Sequence, residues 1–176
     1  LADLPLGEGG ASRRGVMQAP KNGFFYVLDA ADGELISATP FTNQNWTTGE
    51  CDAKGRPVLV DEAVDLALYA VVPGPTGAHN WHPMAFNPDT GLVYIPVNEI
   101  PFFYDKTRNV EDGKSLWNIG YDAAAGWPVE YPAGTLDAVA DLDGGSLLAW
   151  DPVKAEPRWA VPFALPLNGG VLSTDA

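Results

Sequence analysis

The sequence predicts an all-β chain, and three observations carry that reading. The 176 residues include 19 Gly and 16 Pro, a proportion that demands many turns and favours short strands over long helices. Short apolar runs are punctuated by Asn-Gly and Asp-x-x-x-Gly signals. The same apolar-turn-apolar pattern then recurs along the chain.

Gly15 to Ala19 and Phe24 to Leu28 are apolar runs separated by Pro20-Lys21-Asn22-Gly23, and Asn-Gly is a strong hairpin signal. A second turn, Ala30-Ala31-Asp32-Gly33, leads into Glu34 to Ala38, so the first forty residues spell a three-stranded meander. The pattern returns as His82 to Phe86, a turn at Asn87-Pro88-Asp89-Thr90-Gly91, and Leu92 to Pro96. It returns again as Ser146 to Trp150, a turn through Pro152 to Glu156, and Arg158 to Val161. Val27, Asp29 and Gly33 align with Ala149, Asp151 and Ala155, and the register runs on to Ser37 in one repeat and Trp159 in the other. Units of roughly 40–50 residues with several strands each have the form of propeller blades. Two long insertions interrupt them, at about 42–75 and 100–144, and long irregular segments in a compact domain are usually functional or cover something. Asp61 to Val72 is the one stretch expected to form a short helix.

An apolar content of 46% with 11% aromatics argues against disorder. The formal net charge of −13 repels phosphate backbones and anionic lipid, so nucleic acid and membrane surfaces are poor partners. No apolar run approaches the ~20 residues that span a bilayer, so no membrane insertion is expected. The single Cys51 has no partner within the chain, and no Cys cluster of a structural zinc or iron–sulfur site exists. The N-terminal Leu-Ala-Asp-Leu-Pro-Leu-Gly-Glu lacks the basic and apolar regions of a signal peptide. With no initiator Met, the chain reads as an internal piece of a longer protein.

Chemistry concentrates in two clusters. Gly77-Ala78-His79-Asn80-Trp81-His82-Pro83 packs a carboxamide, an indole and two imidazoles into one turn, and Gln18-Ala19-Pro20-Lys21-Asn22-Gly23 sets a cation on another. A lone Lys is usually a solvated turn residue. On an inner propeller loop, however, the Lys21 ammonium would point into the central site. Asn80 and Trp81 read either as a capped turn with a buried indole or as ligand contacts. His79 and His82 lie on a turn rather than a helix, so ring nitrogens satisfied by backbone are expected in place of a metal site. Asp137, Asp141 and Asp143 miss the alternate-position pattern of a calcium loop, and the Asn45-Trp46-Thr47 sequon carries no weight by itself.

With Ala-Pro-Lys-Asn-Gly-Phe-Phe and Gly-Ala-His-Asn-Trp-His-Pro on the page, the chain resembles the quinoprotein alcohol dehydrogenases, and most closely their soluble quinohaemoprotein branch. The likeness runs from about Gly15 to Thr174. It implies that residues 1–176 form one partial β-propeller domain, about three blades of a family fold of about eight. It implies a periplasmic enzyme that oxidises a primary or secondary alcohol to aldehyde or ketone with pyrroloquinoline quinone (PQQ), calcium and a cytochrome c or similar acceptor, and in this branch a haem c domain. Lys21, Asn80 and Trp81 match the family's cofactor contacts, and Trp159 matches an indole that docks between blades. The family's catalytic-base Asp, calcium ligands, adjacent-cysteine disulfide and the Trp beneath the cofactor have no counterpart here. Neither does the haem-binding Cys-x-x-Cys-His, and Leu167 replaces the aromatic usual before Asn-Gly-Gly. The rival readings are a non-catalytic propeller scaffold of the bacterial envelope and a calcium-dependent binding module.

Overall fold

A computed structural model describes residues 1–64, 70–103, 144–163 and 169–174. Within them the chain forms twelve short strands, and regular helix is confined to a 3-10 turn at Glu8–Gly10 and one turn of α-helix, α1, at Asp61–Val64. The first sheet contains β1 (Ala2–Leu4), β2 (Arg13–Gln18), β3 (Phe24–Asp29) and β4 (Leu35–Pro40), in that order. A two-stranded ribbon follows, β5 (Thr47–Cys51) with β6 (Pro57–Leu59). After α1 come β7 (Ala70–Val71), β8 (Ala85–Asn87), β9 (Leu92–Asn98), β10 (Phe102–Phe103), β11 (Gly145–Asp151) and β12 (Glu156–Phe163). The second four-stranded sheet has the order β12-β11-β9-β8, and β7 pairs with β10. Every pairing is antiparallel.

The two sheets are copies of one design. In the first, Val27 pairs Ser37 and Leu28 pairs Leu35, which leaves Ile36 as a bulge. In the second, Ala149 pairs Trp159 and Trp150 pairs Pro157, which leaves Arg158 as the bulge. The sequence alignment of Val27 with Ala149 and of Ser37 with Trp159 is therefore the pairing register itself. Each sheet also turns through the same motif. Asp29 Oδ1 accepts from the Ala31 amide, Asn87 Oδ1 from those of Asp89 and Thr90, and Asp151 Oδ1 from those of Val153 and Lys154. The fifth residue of each turn has positive φ, at Gly33, Gly91 and Ala155.

Two four-stranded sheets and two two-stranded ribbons lie among the described residues, as a partial propeller requires. The repeats at 82–96 and 146–161 are two halves of one sheet, because β9 pairs with β11 across the second insertion. Local periodicity marks strands but not which of them meet across a long connection. Two further expectations change. The 42–75 insertion holds a hairpin whose turn uses Asp52, with Oδ1 accepting from Lys54 and Arg56 amides. The helix expected over Asp61 to Val72 has given way to strand by Ala70–Val71, where β-branched residues suit a pleated ladder better than a helix.

The core lies between the two sheets. Met17, Phe25 and Val27 of the first meet Val93, Ile95, Val97, Leu148 and Trp150 of the second, all nearly inaccessible. The Phe25 and Trp150 rings sit 5.7 Å apart at 38°. Trp159, given an inter-blade role by resemblance, lies on the opposite face, paired with Ala149 and against Tyr94 at 5.8 Å, and is 44% exposed. Trp150 is the indole between the two described sheets.

Candidate functional site

The Asx turns of β3–β4, β8–β9 and β11–β12 occupy one end of the sheets, and antiparallel connectivity puts the Lys21 turn and the loop before β8 at the other. Gly23 takes φ 83° in the β2–β3 turn, and Asn22 Oδ1 accepts from the Phe24 amide at 3.1 Å, so this turn is fixed by its own residues. That leaves Lys21 at its exposed crest.

The loop from Pro73 to Met84 is bound to this crest by the backbone. The Ala78 amide donates to Lys21 O at 3.0 Å, and the Asn98 amide donates to Ala78 O at 2.7 Å, so one residue joins the Lys21 turn to the end of β9. A turn closed by Gly77 N to Gly74 O at 2.8 Å brings up two free carbonyls. Lys21 Nζ donates to the first, Pro75 O, at 3.1 Å, and Asn80 Nδ2 to the second, Thr76 O, at 3.1 Å. The ammonium and the carboxamide, assigned to one site from sequence, are thus anchored on consecutive carbonyls of a single turn.

Trp81 stands at the apex of the next turn, 81% exposed, with its ring 5.7 Å from that of His82. His82 is buried and its Nδ1 has no partner among the described residues, a polar atom directly beside the exposed indole. His79 is buried with both ring nitrogens against backbone carbonyls, as expected for it. On the far side of the loop the Val171 amide donates to Pro83 O at 2.8 Å.

Several residues given no site role from sequence build this end of the molecule. At Gly77 (φ 83°) an added Cβ would fall 2.5 Å from Lys21 Cγ, so the Lys21 side chain lies directly on the glycine. Asn45 holds the strand entering the loop, donating to Ala70 O at 2.8 Å and accepting from the Val72 amide at 2.9 Å. Its amide is committed to backbone rather than presented as a glycosylation acceptor. Glu99 Oε1 accepts from Thr42 Oγ1 at 2.7 Å and from Asn43 Nδ2 at 3.0 Å, tying the roots of the two insertions together. Such tertiary contacts leave no local signal in a sequence.

Cys51 lies behind the site beside Tyr26, whose hydroxyl accepts from Asn22 Nδ2 at 2.9 Å. Burial pushes the Cys51 thiol and the Tyr26 hydroxyl above their ordinary values, in keeping with groups that stay neutral. Among the described residues no three or more His, Cys, Asp or Glu side chains gather as a metal site. Asp137 and Asp141 to Asp143 lie outside the described residues. No described helix is long and apolar enough to cross a membrane.

The donor set suits a flat ligand rich in oxygens. It combines an ammonium with hydrogens to spare, a carboxamide, an uncovered indole face and an unpartnered buried imidazole nitrogen, all on loops held by backbone bonds.

No family model matches the chain. Among curated proteins it is 43% identical over 183 residues to the quinohemoprotein alcohol dehydrogenase ADH-IIG of Pseudomonas putida, covering 99% of this chain and 24% of that protein. It is 41% identical over 180 residues to the quinohemoprotein alcohol dehydrogenase of Comamonas testosteroni, again covering 99% of this chain and 24% of the other. Among solved structures, the Pseudomonas putida ADHIIG enzyme superposes with a TM-score of 0.75 at 39% identity, over 98% of this chain and 26% of that one. A europium-containing methanol dehydrogenase superposes with a TM-score of 0.64 at 26% identity, over 89% of this chain and 26% of the other. The chain spans about a quarter of the length of the curated relatives it matches.

Proposed function

We propose that the chain belongs to the quinoprotein alcohol dehydrogenases and forms one side of the PQQ site in a longer, periplasmic, propeller-shaped alcohol dehydrogenase. The observation that carries this reading is the shared turn at Pro75 and Thr76, whose consecutive carbonyls anchor the Lys21 ammonium and the Asn80 carboxamide. The substrate is a primary or secondary alcohol, which leaves as the aldehyde or ketone. PQQ, when bound, supplies a two-electron acceptor for the alcohol's carbon-bound hydrogen.

Lys21 would set its positive charge toward the quinone oxygens, which become more negative on reduction. Asn80 would hold the same polar edge through its amide, and Trp81 would offer its indole face to the ring system. The base that takes the hydroxyl proton, and the carboxylates that hold calcium, lie on blades outside this chain. A cytochrome c or similar periplasmic protein would accept the electrons.

The test is Lys21→Ala in the complete enzyme. Removal of one preorganised donor costs about 3 kcal/mol, on the order of a hundredfold in turnover. We expect dye-linked alcohol oxidation to fall by that factor while quinone retention falls less, because the ammonium matches the reduced state best. An unchanged rate would show that Lys21 plays no part in the quinone site, and a parent protein without any alcohol oxidation would leave a non-catalytic propeller scaffold as the better reading.

A further inference from the structure

His79 is 3% exposed, and its ring lies between two backbone carbonyls, with Nδ1 2.6 Å from Ala19 O and Nε2 2.7 Å from His82 O. A carbonyl oxygen can only accept, so both contacts are hydrogen bonds only when each ring nitrogen carries a proton. In either neutral tautomer, a nitrogen lone pair would face an oxygen lone pair at one of these short distances.

The two carbonyls belong to different loops, Ala19 lying 60 residues from His79 and His82 only 3. Ala19 follows β2 directly, just before Pro20-Lys21, and His82 follows Trp81 directly. Asn80 and Trp81 form the apex of the short turn that the Nε2 contact closes. We propose that His79 is a positioning residue of the quinone site, a doubly protonated clamp that holds the Lys21 turn against the Asn80-Trp81 apex. This rests on the site reading above. The other ionisable groups on the two clamped loops are the Lys21 ammonium, which donates to Pro75 O, and the His82 imidazole, stacked on Trp81.

Long-range proton–nitrogen correlation spectra of the full chain test the clamp without any ligand. The sequence contains only two His, so loss of signals in His79→Gln, or in His82→Gln if the first variant fails to fold, assigns them. Both His79 ring nitrogens are expected to show the shift of a protonated nitrogen. A single unprotonated His79 nitrogen overturns the proposal. In the complete enzyme, titration with PQQ should show affinity about tenfold weaker in His79→Gln. Amide exchange at Ala78, which bonds Lys21 O, should speed up by a similar factor while Val27 stays unchanged. Lys21→Ala separates the two possible failures. If it weakens PQQ binding while His79→Gln does not, the clamp is refuted. If neither variant alters binding, the site reading falls and the proposal falls with it.

Discussion

At Gly77 the backbone sits at φ 83° with the Lys21 side chain lying on its Cα. An alanine there would adopt a left-handed conformation at a cost of about 1–2 kcal/mol and would drive its Cβ into Lys21 Cβ and Cγ. Gly77→Ala is therefore expected to displace Lys21 and weaken quinone binding in the complete enzyme as much as Lys21→Ala does. Equal PQQ affinity in Gly77→Ala and the parent, by equilibrium titration, would contradict this close packing. A second residue-scale expectation concerns Asp29. Its carboxyl is held below the ordinary carboxylate value of about 3.9 by the Ala31 amide and then by Arg13. A depressed folded value means that the stabilisation is fully present above the unfolded value and is lost as pH falls through the folded one. Asp29→Asn should accordingly be less stable than the parent in neutral urea titrations, and the gap should close in strong acid. A gap independent of pH would show that the Arg13 and Ala31 contacts do not act through charge. Lys21, Asn80 and Trp81 stood out in the sequence because Pro, Asn-Gly and Gly-x-x-x-x-x-Pro confine them to turns. Gly77 and Asn45 did not, since their roles come from contacts such as that between Lys21 and Pro75, 54 residues apart.

The repeated turn carries its own expectation at the scale of the element. Gly33 and Gly91 occupy the positive-φ position of two copies, while Ala155 holds φ 55° in the third. Relief of that strain by Ala155→Gly is offset in part by the greater freedom of Gly in the unfolded chain. The expected net effect is a gain of up to about 1 kcal/mol, whereas Gly33→Ala should lose about as much. Urea midpoints of the two variants check the pair, and destabilisation by both would show that Ala155 contributes more through packing on the core than its backbone costs. The strand register and the turns were legible because pleat alternation and Asx chemistry are local. The β9–β11 pairing was not, because some forty residues of insertion separate its partners (Asn98 to Gly145). The β5–β6 hairpin was hidden in a stretch too polar to read as strands. Its Asp52-Ala-Lys-Gly55 turn is a shorter relative of the signal used in the two sheets, with the positive-φ glycine one position earlier.

Over the whole molecule, the sheets share a core of Phe25, Val27, Ile95 and Trp150 and direct their Asx turns to one end, with the loops of Lys21 and Asn80 at the other. The all-β class and the blade-like repeat were legible because turn spacing sets them. That the repeats at 82–96 and 146–161 form one sheet was not, because it depends on which strands meet across an insertion. The central claim is that the Lys21 end, not the Asx-turn end, faces the quinone. The most direct measurement is a crystal structure of the complete enzyme with PQQ bound. The account predicts the Lys21 ammonium and the Asn80 amide within hydrogen-bonding distance of the quinone's oxygens and the Trp81 indole against its ring system. A quinone bound elsewhere, with Lys21 still turned to Pro75 and solvent, would contradict it.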